Sequence, residues 1–205
     1  MINKFQFCHY PKSGGRTIEL ILAKRFGSRY FRLHGNFVTD VASVFGKDNR
    51  FKQELKAHYF YASNNECCVG GHIPPQRLLR NKATFIRDPV SRMYSEYNFF
   101  QEKNPNRIKN ISFIEYVEKS KNNLISYESF YLGNDFFFLG IFEHFEDEAR
   151  RFANLLNVDM VIPKVNSTHY STLDRSDQLE AQRLLKSDCE VYDLIRELEN
   201  KGVGK

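Results

Sequence analysis

The densest concentration of residues suited to chemistry is the run Lys12-Ser13-Gly14-Gly15-Arg16-Thr17. Its two glycines let backbone N–H groups approach an anion with no Cβ in the way, Ser13 and Thr17 add hydroxyl donors, and Lys12 and Arg16 add positive charge. Where such a run closes a strand and opens a helix, the N–H groups and the positive end of the helix dipole converge on one point, and a phosphate suits that point. A strand-to-helix turn that merely needs glycine has the same composition, and GxxxxGK[ST] is absent, so the run alone leaves both readings open. Two further places bear on the question. His72 follows Gly70-Gly71 at the end of a short apolar run, as a candidate base or as a histidine that packs or caps. Arg87 leaves the run Ala83-Thr84-Phe85-Ile86, with Ser95 eight residues on, and suits either an anion or a structural acid.

The elements that must position these residues follow from hydrophobic period. Phe5 to His9 has the mixed alternation of a strand buried on both faces of a parallel sheet, and Pro11 ends it. From Ile18 the apolar positions Ile18, Ile21, Leu22 and Phe26 recur at helical spacing. Lys24 and Arg25 complement the negative end of that helix, and Gly27 is a stop. Cys67 to Val69 predicts a short buried strand, which puts His72 at a strand's C-terminal end, the edge where open α/β sheets bind ligands. Ala83–Ile86 predicts another strand, then Asp88 as N-cap and Pro89 in the first turn of a helix through Val90, Met93, Tyr94 and Tyr97; Ser95 falls about two turns in.

Elsewhere the pattern predicts helices within 38–61, over 75–80, over Ser112–Lys119 and over Glu143–Leu156, with Asp174 capping terminal helices. It predicts strands within Leu132–Gly140 and Met160–Ile162, and no element over Ser28–Gly35. Alternating strands and helices give the expected class: α/β, a P-loop-like three-layer fold with a central, mainly parallel sheet flanked by helices.

Composition narrows the partners. With 205 residues, 41% hydrophobic, 19 Phe and 11 Tyr, the chain has the make-up of one folded domain rather than a disordered one. It holds no apolar run of 18 residues, so no membrane span is expected, and the opening MINKFQF lacks the apolar core of a signal peptide, so a cytoplasmic location is expected. Cys8, Cys67, Cys68 and Cys189 have neither CxxC nor zinc spacing, which predicts reduced thiols and no metal, with Cys67 and Cys68 on opposite strand faces. The net charge of +5 is modest, yet Lys4, Lys12, Arg16, Lys24, Arg25, Arg29 and Arg32 meet only Glu19 within the first 34 residues. That asymmetry fits an anionic partner or a solvated basic face.

Three segments in order, YPKSGGRT, GGHIP and TFIRDPVSRMYSEY, resemble the carbohydrate sulfotransferases related to the heparan sulfate 2-O and 6-O enzymes. The later FLGIFEHFEDEARRF resembles a further block of that family, and KVNST its nucleotide-closing loop; stretches 28–65 and 101–131 match none of its blocks. The resemblance implies a single sulfotransferase domain over 1–205. Its sulfuryl donor would be 3′-phosphoadenosine 5′-phosphosulfate (PAPS), its spent nucleotide PAP, and its acceptor a hydroxyl of a glycan or polysaccharide. It assigns Lys12 to the transferring sulfuryl group and the bridging oxygen. Ser13, Gly14, Gly15, Arg16 and Thr17 would cradle the 5′-phosphate, and Arg87 and Ser95 would hold the 3′-phosphate. His72 stands where several glycan-acting relatives keep their general base, a position not common to the whole family. Arg16 departs from the small hydroxyl residue usual at its place, and the chain is short and lacks the anchor of the Golgi members. Two other classes remain in view: a P-loop nucleotide or small-molecule kinase, and a nucleotide- or RNA-binding module without catalysis. The missing GK[ST] and the lack of a strand ending in a magnesium-binding Asp weigh against the first, the lack of any RNP-like or KH-like pattern against the second.

Overall fold

Strand β1 (Lys4–Cys8) is the centre of a five-stranded sheet in which every neighbour runs parallel to it. With β2 (Tyr30–Leu33), β3 (Cys67–Gly71), β4 (Lys82–Ile86) and β5 (Phe136–Ile141) the order is β2-β3-β1-β4-β5. β1 pairs with β3 through Phe5↔Cys68 and Phe7↔Gly70, and with β4 through Phe7↔Ala83. The chain leaves β1 toward β2 and β3 and then returns to β1's other side for β4. The order therefore reverses around β1, and such a reversal opens a crevice at the strands' C-terminal ends. These coordinates are a computed structural model that describes residues 2–33, 47–72, 75, 79–122, 125–159, 161 and 172–201. They form two compact units, Met1–Ile86 with Asn134–Val165, and Arg87–Gly133 with Asn166–Lys205.

In the first unit the strand period of two sorts side chains into two cores. On one face Phe5, Phe7, Cys68, Ala83, Phe85 and Phe138 meet Ile18, Ile21, Leu22 and Phe26 of α1 (Gly15–Phe26), and Ala149, Phe152 and Ala153 of α6 (Phe145–Leu155). Phe5 and Phe26 pack edge to face at 5.6 Å, and each such buried ring contributes about 1.5–3 kcal/mol relative to exposure. On the other face Leu33, Cys67 and Val69 meet Ala57 and Tyr61 of α2 (Lys47–Ser63). Helix, sheet and helix make the three layers expected, with a sheet wholly rather than mainly parallel. Cys67 and Cys68 fall on opposite faces as their adjacency demands, and all four cysteines are free.

The second unit is helical. α3 (Pro89–Lys103), α4 (Phe113–Ser120) and α7 (Arg175–Leu184) enclose Val90, Met93, Tyr97, Phe113, Val117 and Ala181, and α5 (Tyr127–Tyr131) and α8 (Lys186–Asn200) complete it. Its helix starts were written in the sequence. Asp88 accepts the Ser91 N–H at 2.7 Å, Asp174 accepts that of Ser176 at 2.8 Å, and Ser112 with Glu115 forms a capping box. Each such cap contributes about 1 kcal/mol.

Several boundaries differ from expectation. Ser28–Gly35 holds the strand β2, because a four-residue strand whose exposed Arg32 precedes buried Leu33 shows too little alternation to register. α1 begins at Gly15, so part of the glycine run is helical. Leu132 to Asp135 precedes β5 as a turn, with Gly133 at φ 81°. α5 has no counterpart among the expected elements. The expected elements at 75–80 and 160–162, and the KVNST loop, lie wholly or largely outside the described residues. Among the described residues no helix is long and apolar enough to cross a membrane.

Candidate active site

The loop from Tyr10 to Gly14 carries β1 into α1 at the C-terminal edge of the sheet. Its backbone takes left-handed values at Lys12 (φ 65°) and Gly14 (φ 80°), a conformation unusual for a lysine and held here by the tight turn. Left-handed residues on either side of one that is not curve successive N–H groups toward one concavity. α1 itself has no side-chain cap and no acid in its first turn, so the groups that normally satisfy a helix N-terminus are missing. Ser13 is 1% exposed, and its Oγ has no hydrogen-bond partner. A buried hydroxyl without a partner costs about 1–3 kcal/mol, and an anion seated at the helix start would accept from it. Thr17 is buried and Arg16 exposed. The glycines are there for space: a Cβ on Gly14 would overlap the Phe145 ring, and one on Gly15 would overlap the ring of His9.

His72 follows β3 directly and is half-buried. The preceding Gly71, at φ 137°, lies so close to the Leu33 carbonyl of β2 that no side chain fits. The Gly71 carbonyl accepts the His9 N–H at 3.0 Å, tying the ends of β3 and β1 together. His72 stacks on His9 with ring centroids 3.9 Å apart and planes 29° apart. Burial, with the His72, Arg32 and Lys12 charges nearby, drives the His9 pKa well below the ordinary 6.5 and keeps that ring neutral. His9 Nδ1 lies 4.0 Å from Glu19 Oε1, too far for a hydrogen bond, and with His9 neutral the contact is no ion pair. Glu19 is instead gripped twice by Arg32, Nε at 3.1 Å and Nη2 at 3.0 Å.

The structure thus brings Lys12, Ser13, Gly14, Gly15, Arg16 and Thr17 to one helix start and His72 to the neighbouring strand end, all in the first unit. Arg87 and Ser95 belong to the second. Arg87 follows the C-terminal end of β4, and its carbonyl accepts the Tyr127 hydroxyl at 2.6 Å. Ser95 is buried on α3. Arg92, in the same RDPVSR stretch, is 2% exposed and pairs with Glu96 at 3.1 Å, a structural role. The basic N-terminal stretch resolves into pairs: Arg25 and Arg29 both meet Glu66, and Arg32 meets Glu19. Sequence reasoning passed over His9, Glu19 and Phe145. Of these only His9 carried a signal, a polar ring ending an apolar strand just before the glycine run.

A parallel α/β sheet with an uncapped helix start after its central strand defines a protein that binds an anionic group at the strand ends. Compared with known families, the sequence matches the Sulfotransferase family over residues 2–197, and the chain belongs to that family. It is a sulfotransferase, and the family generally draws its sulfuryl group from PAPS. No curated protein matches the chain.

Proposed function

We propose that this enzyme transfers a sulfuryl group from PAPS to a hydroxyl of a carbohydrate acceptor, with His72 as general base and residues 1–205 working as one cytoplasmic sulfotransferase domain. The observation that carries the reading is the start of α1, uncapped, without an acid, and holding a buried Ser13 hydroxyl with no partner. Those groups suit the 5′-phosphate of a nucleotide. Family membership sets the kinase and RNA-module readings aside, and no observation favours either.

PAPS supplies an activated sulfuryl group whose departure leaves PAP. The residues here bind, neutralise and move a proton. Ser13, Gly14, Gly15, Arg16 and Thr17 donate to the 5′-phosphate, and Arg87 and Ser95 offer a guanidinium fork and a hydroxyl to the 3′-phosphate, as the resemblance assigns them. Lys12 neutralises charge on the bridging oxygen as the S–O bond breaks. His72 takes the proton of the attacking sugar hydroxyl, which is a poor nucleophile until a base assists, and a neutral imidazole suits that task near neutral pH. Incubation with labelled PAPS and a panel of glycans tests this. Label should pass to at least one glycan, and His72→Ala should lower that turnover by about 10²–10⁴ with nucleotide affinity kept. Transfer that survives the substitution unchanged removes His72 from the role.

A further inference from the structure

We infer that His9 is a positioning residue for His72, an inference that rests on reading His72 as the base. His9 is fixed on several sides. Its N–H is held by the Gly71 carbonyl at 3.0 Å. Its ring lies parallel to Phe7 at 6.1 Å and packs so closely over Gly15 that a methyl group there would occupy the ring's place. Its remaining face is covered by His72, at 3.9 Å between centroids. The platform on which the His72 imidazole rests is thus built from β1, from the first residue of α1 and from the residue preceding His72 itself. A flat ring at van der Waals distance restricts the tilt of its partner, and a base must hold its nitrogen within hydrogen-bond reach of the proton it removes.

The platform must also be uncharged. The charged and titratable groups facing His9 are Lys12 of the loop, Glu19 of α1, Arg32 of β2 and His72 beyond β3. Arg32 is engaged with Glu19, which leaves the carboxylate short of His9 Nδ1, and Nδ1 has no hydrogen-bond partner. No acid therefore draws a proton onto His9. A protonated His9 would set a cation against the face of His72 and oppose the proton that His72 has to accept; the neutral ring does not.

Three variants decide the matter: His9→Ala, His9→Phe and the His9→Ala/His72→Ala pair. In histidine-edited NMR spectra of the full chain, the His72 Cε1–H signal should lie upfield in the wild type through the ring current of His9. It should stay upfield in His9→Phe and return toward the free-histidine position in His9→Ala. Identical positions in all three would overturn the inference. With PAPS as donor and desulfated heparin as acceptor, His9→Ala should lower kcat by about 10- to 100-fold, with 3′,5′-ADP affinity unchanged, and His9→Phe should recover most of the loss. In the His72→Ala background His9→Ala should cost nothing further. An equal loss in both backgrounds, or weakened 3′,5′-ADP binding in His9→Ala, would make His9 a support for the Gly15 loop and sink the proposal. A wild-type protein that does not bind 3′,5′-ADP would count against the sulfotransferase site as read here, while the NMR comparison would still decide whether His9 orients His72.

Discussion

Replacing His9 by phenylalanine should flatten the protein's response to acid. In the folded chain His9 is 7% exposed, and burial first, then the neighbouring His72, Arg32 and Lys12 charges, push its pKa well below 6.5. In the unfolded chain it titrates at the ordinary value. As pH falls through 6.5 the unfolded chain takes up a proton that the folded chain refuses, so the unfolded state binds more protons and stability falls with acidification. Stability is therefore full above 6.5 and lost progressively below it, until the folded-state pKa is reached. One pH unit below 6.5 the loss approaches about 1.4 kcal/mol. For a chain of this size that is about 3–6 °C in Tm. Phenylalanine keeps the ring over Gly15 and against His72 but has nothing to protonate, and the remaining acids and bases are common to both proteins. Thermal unfolding followed by circular dichroism at about pH 7.5 and about pH 5.5, without nucleotide, should show a larger drop in the wild type by that margin. Equal drops would mean that His9 takes up its proton inside the fold and that burial does not hold it neutral.

Lys12→Ala should raise the barrier to sulfuryl transfer by about 3–4 kcal/mol, since a preorganised donor facing developing charge acts mainly in the transition state; a variant impaired only in 3′,5′-ADP binding would make Lys12 a ground-state clamp. Gly15→Ala should destabilise the protein by about 1–3 kcal/mol, because its methyl group and the His9 ring claim one space, and should weaken 3′,5′-ADP binding; calorimetry and titration of the same sample read both, and an unperturbed variant would show that the loop tolerates the overlap.

Much of the fold was legible because its signals are local. Phe5 and Phe7 beside Pro11, Ile18 to Phe26 at helical spacing, and Asp88-Pro89 each fix an element without reference to anything distant. β2 was not legible, since it becomes a strand only by lying along β3 from Tyr30↔Cys68 to Leu33↔Gly71, and four residues with one exposed arginine carry no period of their own. The site divides in the same way. The anion loop could be found from glycine, hydroxyl and charge packed into six residues, and His72 from its place at a strand end. The His9 platform could not, because the two histidines are 63 positions apart and meet only through the β1–β3 register that places Cys8 opposite Gly71. Likewise the basic excess of the first 34 residues looked like a face for an anionic partner, until Glu66, far along the chain, was found between Arg25 and Arg29.

The central claim is that the chain holds a nucleotide with phosphates at both the 5′ and the 3′ position, and titration calorimetry with no acceptor present tests it most directly. A desolvated arginine–phosphate contact contributes about 1.5–3 kcal/mol, and a factor of ten in affinity corresponds to about 1.4 kcal/mol. The protein should therefore bind 3′,5′-ADP at least about tenfold more tightly than 5′-AMP, and Arg87→Ala should erase most of that difference. Equal affinities for the two nucleotides, or tighter binding of Mg-ATP than of 3′,5′-ADP, would contradict the account.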